Sequence, residues 1–244
     1  MTAAASERTA HPDTQEPHNW IRPTIGLLMV IGGIIVLAIL IDRAIENYRD
    51  RMVIGGLGGK PSPVSLTVAG EPMTIPANMI RFRADRRGGP VDSIDLLLHW
   101  PGLEGFSKAI ADDFKDTSPD APLIYVSIGQ RTSPLDASAR LDPVYSRFFT
   151  GPPIPGPDGL IGRALTADSG YGGEVVYFVP NGPSPFVARC LAEETADLPA
   201  TCIRDVNVGR SLSILYRFNK ARLADWRALD AGLQALARRF LDAP

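Results

Sequence analysis

The stretch PFVARCLAEETADLPATCIRDVNV, residues 185–208, decides the fold. Its two ends, PFVARC and TCIRDVNV, read as strands, and each places a cysteine beside the acidic, proline-containing loop between them. Strands joined by so short a connection are antiparallel neighbours. Cysteines at the base of such a hairpin come within disulfide reach. Cys190 and Cys202 are the chain's only cysteines, so a Cys190–Cys202 bond is the expected pairing. Closing a loop of about a dozen residues contributes on the order of 3 kcal/mol in the chain-entropy account. A single pair so placed fits an oxidising compartment. Two separate buried thiols are the plainer alternative, since free cysteine packs well. A zinc site is poorly supported, because two cysteines without close histidines cannot supply four ligands.

Working outward, the same alternation recurs on both sides. Strands are expected at residues 159–166, 173–179, 185–190, 201–208 and 211–218. Upstream, VSLTVAGEPMTIP (64–76) reads as a hairpin about a Gly-Glu-Pro turn, and NMIRFRADRRGG (78–89) as a third short strand. In SIDLLLHWPGLEG (93–105), Ile94, Leu96 and Leu98 share one face, and Asp95 and His99 the other. PLIYVSIGQR (122–131) is apolar on both faces and reads as a central strand. SPLDASARLDPVYSRFF (133–149) suits a helix capped by Ser133 and either kinked or split into two short helices at Pro143. TGPPIPGPDG (150–159) reads as a stiff surface connection. The chain closes on NKARLADWRALDAGLQALARRFLDA, where Leu223, Trp226, Leu229, Leu233, Leu236 and Phe240 recur at helical spacing. Asn219 is placed to cap that helix, and one face of the antiparallel sheet is the simplest cover for its apolar stripe. The fold class is therefore α+β: one antiparallel-sheet domain packed with a C-terminal amphipathic helix, preceded by a single N-terminal transmembrane helix.

That membrane helix is the run PTIGLLMVIGGIIVLAILIDR, residues 23–43. Ile25 to Ile41 carries no charge, and at ~1.5 Å per residue it approaches the ~30 Å hydrocarbon core. Contact with the lipid bilayer is expected there. A cleaved signal would need a short basic start and a small-x-small site, whereas this leader is long and IDRAIENYRDRM follows the run. An uncleaved anchor is the better reading. The span holds no G-x-x-x-G and no ionisable residue, so neither dimerisation through the membrane nor transport is indicated.

Two arguments about sidedness conflict. Arg8 and Arg22 precede the span, while Arg43, Arg49, Arg51 and Lys60 follow it, which favours a cytoplasmic C-terminal domain. Large domains translocate with little regard to such charges. The cysteine pair carries more weight, so the N-terminus is expected in the cytoplasm of a bacterial cell and the C-terminal domain in the periplasm, on the inner membrane. The domain organisation is then a disordered tail over 1–22, the span over 23–43, a stalk and Gly/Pro linker over 44–63, and the α+β domain over 64–244. The linker's GGLGGKPSP fails as a phosphate loop, because Lys60 is followed by Pro61 rather than Ser or Thr.

No catalytic set stands out. His99 is the one histidine in the expected domain and the weak catalytic candidate, since no G-x-S-x-G accompanies it. The acids Asp112, Asp113, Asp116 and Asp120 lack the pattern of a calcium loop and read as solvated. No metal and no cofactor is indicated. Arg81, Arg83, Arg86 and Arg87, with Phe82, form the strongest positive patch, a candidate for binding an anionic headgroup, a cell-wall acid or an acidic partner. An edge strand guarded by charge accounts for it more simply. The formal charge of −2 gives no reason to expect nucleic acid. The expected function is non-catalytic: an envelope protein that binds a protein partner or scaffolds an assembly. A tethered hydrolase using His99, or a tethered regulatory module facing the cytoplasm, are the alternatives.

Overall fold

The structure is a computed structural model that describes residues 31–41, 57–58, 60–118, 120–182, 184–192 and 200–242. The chain divides into two units, Met1–Arg49 and Asp50–Pro244. In the first, residues 31–41 form a helix, α1, and every residue of it is exposed. Among the described residues no helix is long and apolar enough to cross a membrane. The remainder of the expected span, the N-terminal tail and most of the stalk lie outside the described residues.

The second unit is built on two sheets. Strands β1 (Pro63–Val68), β2 (Glu71–Pro76) and β3 (Gly89–Val91) make a small sheet ordered β2-β1-β3. The large sheet orders β4 (Ser93–His99), β5 (Leu123–Gln130), β11 (Leu212–Asn219), β10 (Thr201–Val208), β9 (Val187–Leu191), β8 (Glu174–Phe178), β7 (Ile161–Leu165) and β6 (Phe149–Pro155). All of its pairings are antiparallel. A short helix, α2 (Ala111–Lys115), follows β4, and α3 (Trp226–Asp242) ends the chain.

Alternation decides which face is buried. Ile94, Leu96 and Leu98 of β4, Ile124, Val126 and Ile128 of β5, and Leu212, Ile214, Tyr216 and Phe218 of β11 point into one core. Val64, Leu66, Val68, Met73 and Ile75 of the small sheet join them there. The same core receives α3, whose Trp226, Leu229, Leu233, Leu236 and Phe240 are buried, as their spacing predicts. Asn219 accepts from the Ala221 N–H, capping a 3-10 turn that leads into α3. The helix and the small sheet together cover the inner face of the large sheet. Burying side chains of this size contributes about 1.5–3 kcal/mol each, which holds the helix against strands far from it in sequence.

The expected hairpin forms. Cys190 and Cys202 are register partners in β9 and β10, and a disulfide joins them. Beyond that point the two strands diverge, since only Cys202 and Ile203 of β10 pair with β9. Residues 133–148 fill the gap. The Ala137 N–H donates to the Asp205 carbonyl, and the Asp136 carboxylate accepts from the Asn207 N–H. This segment is not the expected helix. Pro134 and Pro143 withhold donors, Ser133 turns its hydroxyl onto the Leu135 N–H, and the chain runs through turns to a 3-10 stretch at Tyr145–Phe148. Ala137, Leu141 and Tyr145 are buried in a second cluster with Leu165, Val176 and Val187.

Two further expectations differ from the structure. Part of the expected proline-rich connection is β6, an edge strand whose Pro152, Pro153 and Pro155 leave its outer rim short of donors. The expected third strand shrinks to a bridge between Ile80 and Leu96, after which Asp85–Arg87 make a 3-10 turn.

Buried polar groups join the layers. Arg204 of β10, 3% exposed, donates to both carboxylate oxygens of Asp230 on α3, at 3.0 and 3.3 Å. Its other arm reaches Ser138 Oγ and the Val187 carbonyl, each at 3.0 Å. The Tyr216 hydroxyl donates to Asp230 at 2.7 Å. Burial pushes that hydroxyl well above the usual tyrosine range, so it stays protonated and keeps donating. At the far end, Glu71 of β2 accepts from the Arg210 N–H at 2.9 Å and from the Ser211 hydroxyl at 2.7 Å, tying the small sheet to the β10–β11 turn.

Candidate groove on the outer sheet face

The outer face of the large sheet is covered at its two ends and open between them. Toward β4, Leu97 and Leu123 are roofed by Phe106 and Phe114. Toward β6–β9, the segment containing Ala137, Leu141 and Tyr145 covers Val176 and Val187. Between these roofs lies a groove of about 470 Å³ whose lining includes Arg81, Asp95, Tyr125, Ser127, Leu215 and Arg217. Two smaller hollows adjoin it and share Thr201 and Arg217 with one another.

Strand order creates this site. β11 pairs with β5 and places Arg217 opposite Tyr125, and Leu215 opposite Ser127. β4 sets Asp95 on the other side of Ser127. Tyr125 and Leu215 are 42% and 41% exposed, although both lie inside a sheet rather than on a loop. Large apolar groups left open at such positions mark a surface that something else covers.

The arginines divide by role. Arg81 donates its N–H to the Asp95 carbonyl, which seats it beside β4. Its guanidinium carbon lies 5.0 Å from the Phe82 ring centre and 5.4 Å from that of Tyr125. Contact with two ring faces orients the cation and leaves its N–H edges free. Arg86 turns inward and donates twice to the Ile80 carbonyl, at 3.1 and 2.8 Å. Arg87 donates to the Ala84 carbonyl, and Arg83 is exposed. Of the four, only Arg81 lines the groove. Arg217, absent from the sequence-based candidates, supplies the second cation. Among the described residues neither Arg81 nor Arg217 has an ion pair, whereas Arg140, Arg189, Arg204 and Arg227 each have one.

His99 sits at the edge of this face and is directed elsewhere. Its Nε2 lies 2.8 Å from the Asp113 carboxylate and its Nδ1 3.9 Å from that of Glu104. Its ring stacks on Phe114. Asp113 is thereby engaged rather than purely solvated. The histidine stands between two carboxylates, and no hydroxyl nucleophile among the described residues bonds to it. Among the described residues no group of three or more His, Cys, Asp or Glu could hold a metal ion. The arrangement in the groove suits recognition: two cations, one of them oriented by aromatic rings, hydroxyls on Tyr125, Ser127 and Thr201, and apolar groups between them. Alternation in LSILYRFN was the signal available beforehand, because it sends Leu215 and Arg217 outward together.

No protein-family model matches the chain, and no curated protein matches it. Two solved structures share the fold. One is Smlt3025, an immunity protein of the Stenotrophomonas maltophilia type IV secretion system, with a TM-score of 0.52 at 14% identity, covering 77% of this chain and 96% of that one. The other is FrpD, an iron-regulated outer membrane lipoprotein of Neisseria meningitidis, with a TM-score of 0.50 at 10% identity, covering 77% and 98%. At these identities the likeness is one of fold.

Proposed function

We propose that this chain is a single-pass envelope protein of a bacterial inner membrane, and that residues 64–244 bind a protein partner in the periplasm without catalysing a reaction. The groove carries the reading. It exposes Tyr125 and Leu215 beside two guanidiniums free of ion pairs, in the middle of a sheet whose outer face is roofed at both ends. The Cys190–Cys202 bond supports an oxidising location. Residues 25–41 are apolar, and the described part of that run is helical with every side chain exposed, as a lipid-facing helix requires. In this reading residues 1–22 are cytoplasmic, 23–43 span the bilayer and 44–63 form the link. An immunity protein and an outer membrane lipoprotein built on the same fold accord with a binding role in the envelope.

A photo-crosslinking amino acid at Leu215 of the full chain, irradiated in native cells, should give a discrete protein adduct. The same group at the exposed Arg238 of α3 should not. No adduct at Leu215, or the same adducts at both sites, defeats the binding role. C-terminal fusions test the address: alkaline phosphatase should be active there and green fluorescent protein dark, and the reverse pattern defeats the periplasmic placement.

A further inference from the structure

We infer that the groove takes an extended acidic segment of the partner, with carboxylates on Arg81 and Arg217 and an apolar side chain beside them on Tyr125 and Leu215. This inference rests on the binding role proposed above and specifies its chemistry.

Charge complementarity carries it. Arg81 and Arg217 flank Tyr125: one lies over its ring, and the other is its register partner across β5 and β11. A guanidinium offers a planar fork of donors that fits a carboxylate at two points. The charged groups nearby are already spoken for: Arg189 with Glu174, and Asp205 with Arg140. Asp95 and Asp116 are the exceptions. Asp95 lines the groove in register with Ser127, Asp116 lines the adjoining hollow with Arg217, and neither has an ion pair among the described residues. An acid of the segment placed against either would be repelled, so only the positions at the two cations select acids.

Placement sets the pattern. The Arg81 guanidinium reaches across β4 to the Tyr125 ring, and Arg217 stands beside Tyr125 on β11. Leu215 lies two positions from Arg217 on the same strand and the same face. The two cations and the apolar floor are therefore neighbours, so one short extended segment that carries two acids and an apolar side chain meets them all.

The test is selection of displayed random nonapeptides on the full-length protein in detergent, followed by titration of the best peptide by fluorescence anisotropy. Enrichment of peptides that carry two acids beside an apolar residue is expected. Arg81→Gln and Arg217→Gln should each weaken that peptide by about tenfold, the loss of one charge-assisted pair. Arg83→Gln, on an exposed residue outside the groove, should leave it unchanged. Raising salt from about 50 to 500 mM should weaken binding, because exposed pairs are screened. Arg217→Glu should recover binding to a peptide with lysine at the matching acid position, which also shows that the variant is folded. Selection of peptides without acids, or of none while Leu215 still crosslinks, overturns the inference and leaves the binding role standing. Phosphatidylglycerol vesicles that bind with the same dependence on Arg81 and Arg217 would also overturn it, in favour of a lipid headgroup. Failure of the Leu215 crosslink removes the binding role itself.

Discussion

Replacing Asp230 with alanine should cost this protein a large part of its stability. The carboxylate accepts two bonds from Arg204 and one from Tyr216, and both donors are buried. Truncation leaves the Arg204 cation with Ser138 and the Val187 carbonyl alone, and the Tyr216 hydroxyl without its acceptor. Breaking one side of a buried pair costs about 3–5 kcal/mol, mostly because the other charge is stranded. For a domain of this size each kcal/mol lowers Tm by about 2–4 °C, so a loss of about 4 kcal/mol lowers it by roughly 8–16 °C. Urea unfolding of the full-length protein, followed by tryptophan fluorescence, reads the change directly. Trp226 is a local reporter, since it opens α3 and its ring lies 4.8 Å from that of Phe186. The double replacement Arg204→Met with Asp230→Leu removes both charges and should recover most of the loss. A loss below ~1 kcal/mol for the single variant, or a double variant no more stable than the single, refutes the argument that a stranded charge sets the cost.

Three other outcomes are expected. Replacing Cys190 and Cys202 together with alanine should lower stability by about 3 kcal/mol by the loop-closure account, read as a lower urea midpoint than the oxidised parent. Glu71→Gln should cost about 1–3 kcal/mol at neutral pH, because an amide presents N–H groups to donors that a carboxylate accepts. Burial pushes the Glu71 carboxyl up, but N–H bonds from Arg210 and Ser211 and the Ser211 hydroxyl outweigh it and hold the group below its ordinary range. Its contribution is therefore present above the unfolded-state pKa of about 4.3 and lost as pH falls through the lower folded value. Urea midpoints at neutral and acid pH should show the parent losing more than the variant. Gly209→Ala should cost about 1–3 kcal/mol, since φ there is +56° and a Cβ would stand 2.4 Å from Glu71 Oε2. A thermal melt within a degree of the parent contradicts that.

What was legible in the sequence was whatever period carries. β10 and α3 announce themselves by alternation and by three-and-four spacing, and their buried faces follow from those patterns. The cysteine pair was legible because a short hairpin brings its own ends together. The groove was not, because it depends on β5 lying beside β11, strands about eighty residues apart in sequence. Tyr125 and Arg217 sit in strands whose inward residues draw the eye, and nothing local says they meet. Residues 133–148 misled for a different reason. Their apolar spacing mimics a helix, while tertiary bonds to β10 and two prolines decide otherwise. The arginine run conceals a division of roles, because Arg86 is spent on a backbone carbonyl, which a count of charges does not reveal.

The two rims of the large sheet have one more consequence. β6 ends one side with three prolines, and residues 79–81 bond along β4 on the other. A ladder open at either rim would let neighbouring copies zip together and seed fibrils, a hazard that grows with crowding. With both rims blocked, neighbouring copies of the chain can crowd together without their sheets joining.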